Sequence, residues 1–155
     1  MTADETRGFF VRHAAAWNGQ NVAALVEDYT EDATVVSPML GTIQGRAAIE
    51  ASYHAVFQAW PDQTQQDEGI LVDGDRVCRI SLGTGTHVHE FAGLPGTGKP
   101  FKMHVVWIYQ LQGGKIAHEQ RLYDFTTLLV QLGVLKVKPA KMETPAATTG
   151  FGGHA

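Results

Sequence analysis

The residues best equipped for proton chemistry lie in "HEQRLYD", His118 to Asp124, between a glycine turn and an apolar run. Successive side chains of a strand point to opposite faces, so His118, Gln120, Leu122 and Asp124 share one side and Glu119, Arg121 and Tyr123 the other. A carboxylate at Asp124 can take up a proton, while a neighbouring imidazole and carboxamide can return one or steady a developing negative charge. Asp124 also stands directly before "FTTLL", where an aspartate serves equally well as a helix cap. The residues by themselves leave both roles open.

The turn at Gly113 and Gly114 sets which side faces inward. A two-residue hairpin loop pairs Gln112 with Lys115 and carries the register along both strands. Met103 then lies opposite Asp124, Trp107 opposite Gln120 and Tyr109 opposite His118. One surface therefore combines Phe101, Met103, Val105, Trp107 and Tyr109 with His118, Gln120, Leu122 and Asp124, a mixture of apolar and polar groups suited to a ligand pocket. The other surface, with Lys102, His104, Val106, Ile108, Glu119, Arg121 and Tyr123, suits a dimer contact or a half-exposed face. A bulge would reverse the placement of His104.

Helices and strands must hold these groups in place. "TADETRGFFVRHAAAWNG" repeats its apolar residues at helical spacing through Phe9, Val11, Ala14, Ala15 and Trp17. A short second helix, "NVAALVEDYT", begins near Asn21, whose side chain can cap it, and "ATVVSPM" then reads as a strand. "GRAAIEASYHAVFQAW" is a third helix carrying Ile49, Tyr53, Val56, Phe57 and Trp60, stopped by Pro61. Four strands in meander order follow at roughly 64 to 73, 76 to 91, 101 to 111 and 116 to 123. A short helix from Asp124 ends near Leu135. The pattern is that of an α+β domain over residues 1–135 with the helices on one face of the sheet, and Trp17, Tyr53 and Phe57 are its candidate contributions to the pocket. Residues 136–155, poor in groups to bury, read as a flexible tail.

Several other chemistries are disfavoured. The formal net charge of -4 and the lack of a basic block leave no footprint for nucleic acid or an anionic membrane. No secretory leader opens the sequence and no long apolar run crosses it, so a cytoplasmic location is expected. Cys78 is the single cysteine and reads as a buried thiol. "GLPGTGKP" has the glycines of a phosphate loop but Pro100 where a hydroxyl is needed and a strand where a helix should begin. His87 and His89, alternating onto one strand face with His54 or His118 as a third ligand, make a weak metal pattern. Ser37 and Ser81 lack a nucleophile setting. No metal or cofactor is expected.

Taken in order, "AAWNGQNVAALVEDYTEDATVVSP", "AIEASYHAVFQAWPD", "HEFAGLPGTGKPF" and "GGKIAHEQRLYDFTTLLVQLGVL" resemble the SnoaL-like polyketide cyclase and ester cyclase family, within the superfamily of nuclear transport factor 2 and ketosteroid isomerase. The resemblance implies a cone-shaped barrel, a curved mainly antiparallel sheet closed by three N-terminal helices and followed by a short C-terminal helix. It also implies an enclosed cavity and a homodimer packed through the outer sheet face. It implies that Asp124 acts as general base, removing a proton from a carbon between two carbonyls so that the enolate closes a ring. His118 or Gln120 would stabilise the oxyanion, and the ligand would be a small hydrophobic carbonyl or polycyclic compound. The family commonly reads like "EHWxxxD" here, so Gln120 replaces a cavity tryptophan and a flat polycyclic substrate fits less well. Isomerase, epoxide hydrolase, hydroxylase or simple binding functions could use the same shell.

Overall fold

The computed structural model describes residues 1–138; the greater part of the expected tail, residues 139–155, lies outside the described residues. The elements run α1 (Ala3–Asn18), α2 (Val22–Glu27), β1 (Tyr29–Ser37), β2 (Gly41–Gln44), α3 (Arg46–Ala59), β3 (Thr64–Asp73), β4 (Arg76–Thr86), β5 (Pro100–Gln112), β6 (Lys115–Leu122) and α4 (Phe125–Gln131). The three N-terminal helices and the four-strand meander agree with the sequence reading, and the C-terminal helix is present but ends at Gln131 rather than near Leu135. Strand β2 was not expected, and β1 begins at Tyr29, inside the span assigned to the second helix. Strand β4 stops at Thr86 rather than 91.

Local chemistry explains the helix ends. Thr2 and Glu5 form a reciprocal capping box, the Thr2 hydroxyl accepting from the Glu5 amide at 3.2 Å and the Glu5 carboxylate from the Thr2 amide at 2.7 Å. Asn21 caps α2 through the Ala24 amide at 3.1 Å, as expected. The aromatic and aliphatic faces of α1 and α3 are buried together through Phe10, Trp17, Ile49, Tyr53 and Phe57.

The six strands lie in the order β2-β1-β6-β5-β4-β3. Every pair is antiparallel except β1 with β6, which is parallel. The sheet is mixed and open, not the closed cone-shaped barrel that the resemblance implied, because β2 and β3 are free edges that do not pair with each other. One reason is visible at β3: the Asn18 carboxamide takes the place of a strand partner, accepting from the Gln65 amide at 2.8 Å and donating to its carbonyl at 2.9 Å. That exchange satisfies edge groups that a further strand would otherwise claim.

The hairpin between β5 and β6 carries the main correction. Gly113 and Gly114 have positive φ of 58° and 78°, as a two-residue loop of this hand requires, and Gln112 pairs with Lys115 as expected. Leu111 pairs with Ile116, but Gln110 pairs with His118, leaving Ala117 as an extra residue. This bulge reverses the parity of β6. Beyond it Tyr109 faces Glu119 and Trp107 faces Arg121, so the inner side of "HEQRLYD" is Glu119, Arg121 and Tyr123. Strand β5 keeps its expected orientation, and His104 stays on the outer side as foreseen, 65% exposed in its side chain.

Candidate functional site

A cavity of about 70 Å³ opens between the helices and the inner side of the sheet. Trp17 of α1, Trp60 at the end of α3, Phe101, Met103, Val105 and Trp107 of β5, and Leu128 of α4 supply its apolar wall. Its polar wall is Ser37, Gln63, Gln65, Arg121 and Tyr123. The volume is well below the ~300–1,000 Å³ common for ligand pockets, so it suits a small molecule better than a flat polycycle.

Behind the polar wall lies a buried charged network. Arg121 donates from Nε to Glu119 at 2.5 Å. Its guanidinium sits 5.1 Å from the Trp107 ring centre, 5.5 Å from Trp17 and 5.6 Å from Tyr53, within reach of favourable cation-π contact. The other Glu119 oxygen accepts from the Tyr29 hydroxyl. Since Tyr29 has one proton to give, the Tyr53 hydroxyl 2.5 Å away must donate to Tyr29. Burial pushes the Glu119 carboxyl up, but the Arg121 charge and the bonds from Tyr29 and Arg121 outweigh it and hold it below the ordinary carboxylate value. Burial likewise opposes the charge on Arg121, and Glu119 more than compensates, raising its pKa. Burial raises the Tyr29, Tyr53 and Tyr109 hydroxyls, which stay protonated. A second buried cation, Arg79, reaches the Tyr109 hydroxyl at 3.4 Å. Its Nε lies 2.9 Å from Asp67, close enough for an ion pair although not aligned as a hydrogen bond.

The donors outnumber their acceptors. Arg121 Nη2, Gln63 Nε2, Trp17 Nε1 and Trp60 Nε1 are all buried without a hydrogen-bond partner, and all four residues line the cavity. Buried donors without partners are costly, so an acceptor-rich ligand is what these walls are suited to hold.

The expected site residues divide into three groups. Trp17, Met103 and Trp107 line the cavity. Tyr53, Phe57 and Tyr109 are buried in the surrounding core, Tyr53 as part of the charged network. His118, Gln120, Leu122 and Asp124 are not among the cavity residues, because the bulge turns this side of β6 outward. His118 and Gln120 pair beside Thr34 and Val36 of β1, and Leu122 is 43% exposed.

Asp124 is the cap of α4. One carboxylate oxygen accepts from the Thr127 amide at 2.9 Å and the other from the Thr127 hydroxyl at 2.6 Å. These two bonds hold its carboxyl below the usual carboxylate range. It opens onto a shallow outer groove with Lys102, His104, Leu122 and Thr127.

The histidine pattern also separates. Strand β4 ends before His87, which is fully buried and lies 5.4 Å from the Trp60 ring, whereas His89 is exposed. Burial lowers the pKa of His87. Among the described residues no three His, Cys, Asp or Glu side chains come together as a metal-binding group, and no helix is long and apolar enough to cross a membrane. Cys78 is half-buried and unpaired.

Sequence reasoning missed Arg121, Gln63, Gln65 and Ser81. The one available signal was the opposite-charge pair Glu119 and Arg121, two apart on a strand, which is the spacing of neighbours on one face.

The comparisons agree with this architecture. No curated protein matches the chain. Among solved structures, AclR of Streptomyces galilaeus, a proposed hydroxylase, shares 24% identity at a TM-score of 0.76 over 87% of this chain and 100% of that one. TsrD of Streptomyces laurentii shares 19% at 0.77, covering 87% and 99%. IdmH of Streptomyces antibioticus, a proposed polyketide cyclase, shares 27% at 0.70, covering 83% and 98%. The family model described as SnoaL-like polyketide cyclase matches residues 10–132, so the chain belongs to that family.

Proposed function

We propose that the protein carries out cofactor-independent cyclase-type or isomerase-type chemistry on a small hydrophobic carbonyl compound held in this cavity. The observation that carries this reading is the set of unpartnered N–H donors on Arg121, Gln63, Trp17 and Trp60 around an otherwise apolar space. A compound with a carbon between two carbonyls loses a proton to solvent water to give an enolate. Its carbon then attacks a second carbonyl of the same molecule, the new C–C bond forms, and the carbonyl electron pair moves to oxygen, to which solvent returns a proton at the end. Arg121 and Gln63 are placed to stabilise the oxyanions on either side of that step. Trp107 and Trp17 would hold the apolar body.

No carboxylate lines the cavity among the described residues, so the substrate must supply much of its own acidity. That same feature favours a second reading, binding without turnover. Native mass spectrometry with a panel of small β-dicarbonyl compounds, followed by assay of each bound compound, separates the two. A compound that is held but never converted supports binding alone.

Asp124 provides an internal control. As a cap outside the cavity, Asp124→Asn should leave turnover essentially unchanged, not lowered by the ~10²–10⁴-fold that follows loss of a general base. The expected cost is instead a small loss of stability. Because its folded pKa is depressed, the carboxylate stabilises the fold above its unfolded pKa, and that contribution disappears as pH falls through the folded value. A large fall in turnover in this variant would restore Asp124 as the base.

We also propose a homodimer through the outer sheet face. Leu71, Ile108 and Leu122 are 67%, 39% and 43% exposed there, and neighbouring Cys78, Ile80 and Val106 are only half-buried. Such a continuous apolar patch is unusual on a free monomer. Arg121, expected on this face, points inward and takes no part. Sedimentation should give about twice the 16.8 kDa chain mass, and Ile108→Asp should return it to the monomer. A monomeric wild type at micromolar concentration would contradict this assembly.

A further inference from the structure

We infer that Gln65 sets the selectivity of the cavity, admitting ligands that present oxygen acceptors and rejecting matched ligands that present an O–H. The inference deepens, and rests on, the reading of this cavity as the ligand site.

Trp107 anchors a buried relay of hydrogen bonds. Its indole N–H can only donate, and it lies 2.8 Å from the Ser81 hydroxyl oxygen, which must therefore accept. Ser81 is fully buried, and its own proton goes to the Gln65 carboxamide oxygen at 2.8 Å. Turning the amide over would place NH₂ against Ser81 and strand that hydroxyl proton with no acceptor. The orientation of the amide thus follows from the chemistry of the relay and not from the similar shapes of its oxygen and nitrogen. The end left for a ligand is Nε2, a donor, on a residue that lines the cavity. The Gln65 backbone is itself pinned by Asn18, which keeps the side chain at this place.

The opposite wall has the same polarity. Ser37 Oγ accepts from the Leu40 amide at 3.2 Å, and Tyr123 Oη from the Met39 amide at 3.3 Å. The two hydroxyls lie 3.4 Å apart. One of their two protons can bridge them, which leaves the other to give. With the donors of Arg121, the wall around Gln65 offers mainly protons; the Gln63 carboxamide, which no hydrogen bond orients, is the lining group that can also accept.

A ketone oxygen can accept from such a wall and has nothing left over. An alcohol of the same size can accept as well, but an O–H turned toward Gln65 Nε2 would be enclosed there without an acceptor. That penalty corresponds to a loss of affinity on the order of 10- to 100-fold. Discrimination of this kind arises from stranded hydrogen-bonding groups more than from shape.

Cyclohexanone and cyclohexanol make a direct test. All three tryptophans of the chain, Trp17, Trp60 and Trp107, line the cavity, so the three indole N–H resonances in a ¹H–¹⁵N spectrum report occupancy. Titration of the full chain should show cyclohexanone binding about 10- to 100-fold tighter than cyclohexanol. Ser81→Ala removes the group that orients the amide, so Gln65 can turn and accept; the preference should shrink because the alcohol binds better. Gln65→Leu should shrink it from the other side, by weakening the ketone. Equal or tighter binding of cyclohexanol to the wild type overturns the inference while leaving the cavity as a ligand site. Shifts with neither compound overturn both. An undiminished preference in both variants removes Gln65 from the role assigned to it.

Discussion

Glu119→Ala should destabilise the protein by about 3–5 kcal/mol, the usual cost of removing one partner from a buried ion pair. Glu119 is fully enclosed and Arg121 is 6% exposed, so the variant leaves a guanidinium charge among Trp17, Tyr53 and Trp107 with no counter-charge in contact. Tyr29 would lose the carboxylate its hydroxyl bonds to as well. Removing both charges should cost much less, since well-packed apolar groups can replace a buried pair at little net expense. Urea unfolding of Glu119→Ala and of Glu119→Leu with Arg121→Met therefore separates a stranded charge from lost packing. The pH dependence has a defined sign. With its folded pKa depressed, Glu119 contributes stability above the unfolded carboxylate pKa, and this is lost as pH falls through the lower folded value.

The second large effect is on function. Arg121→Met paired with Glu119→Gln keeps the site neutral while removing the cationic donor. If Arg121 stabilises an oxyanion, turnover of any converted compound should fall by roughly 10²–10³-fold, the range found on losing one such donor. Circular dichroism of the paired variant establishes that it is folded. A folded variant with undiminished turnover would take Arg121 out of the chemistry.

How far the sequence revealed this arrangement depended on how local each determinant was. The helices were legible because their apolar periodicity and their caps, Asn21 among them, are written within a few residues. Gly113 and Gly114 disclosed the hairpin for the same reason. The single extra residue, Ala117, carries no comparable mark. A bulge is decided by what both strands can bury, and here Ile116 and Glu119 both point inward although they are three apart. The alternation rule therefore reversed for every residue after it, and the polar wall was drawn with His118, Gln120 and Asp124 where Arg121 and Tyr123 stand. Glu119 and Arg121 were read outward because the unbroken register put them there; their pairing, with Tyr29 from a distant strand, is what makes their burial tolerable. The capping of the β3 edge was equally hidden, since it uses Asn18 of α1, far away in sequence, to bond the Gln65 backbone. The family resemblance indicated helices packed on a sheet but closed that sheet into a barrel where it is open, and it could not locate the bulge.

Where a ligand sits decides between the inner wall and the outer groove. The most direct measurement is a crystal structure of the protein with 1,3-cyclohexanedione, a small compound with a carbon between two carbonyls. The expected placement is the ring beside Trp107 and Trp17, with its oxygens facing Arg121 and Gln65 or Gln63. A ring bound instead in the outer groove against Asp124, Lys102 and Thr127, with the inner cavity empty, would contradict it.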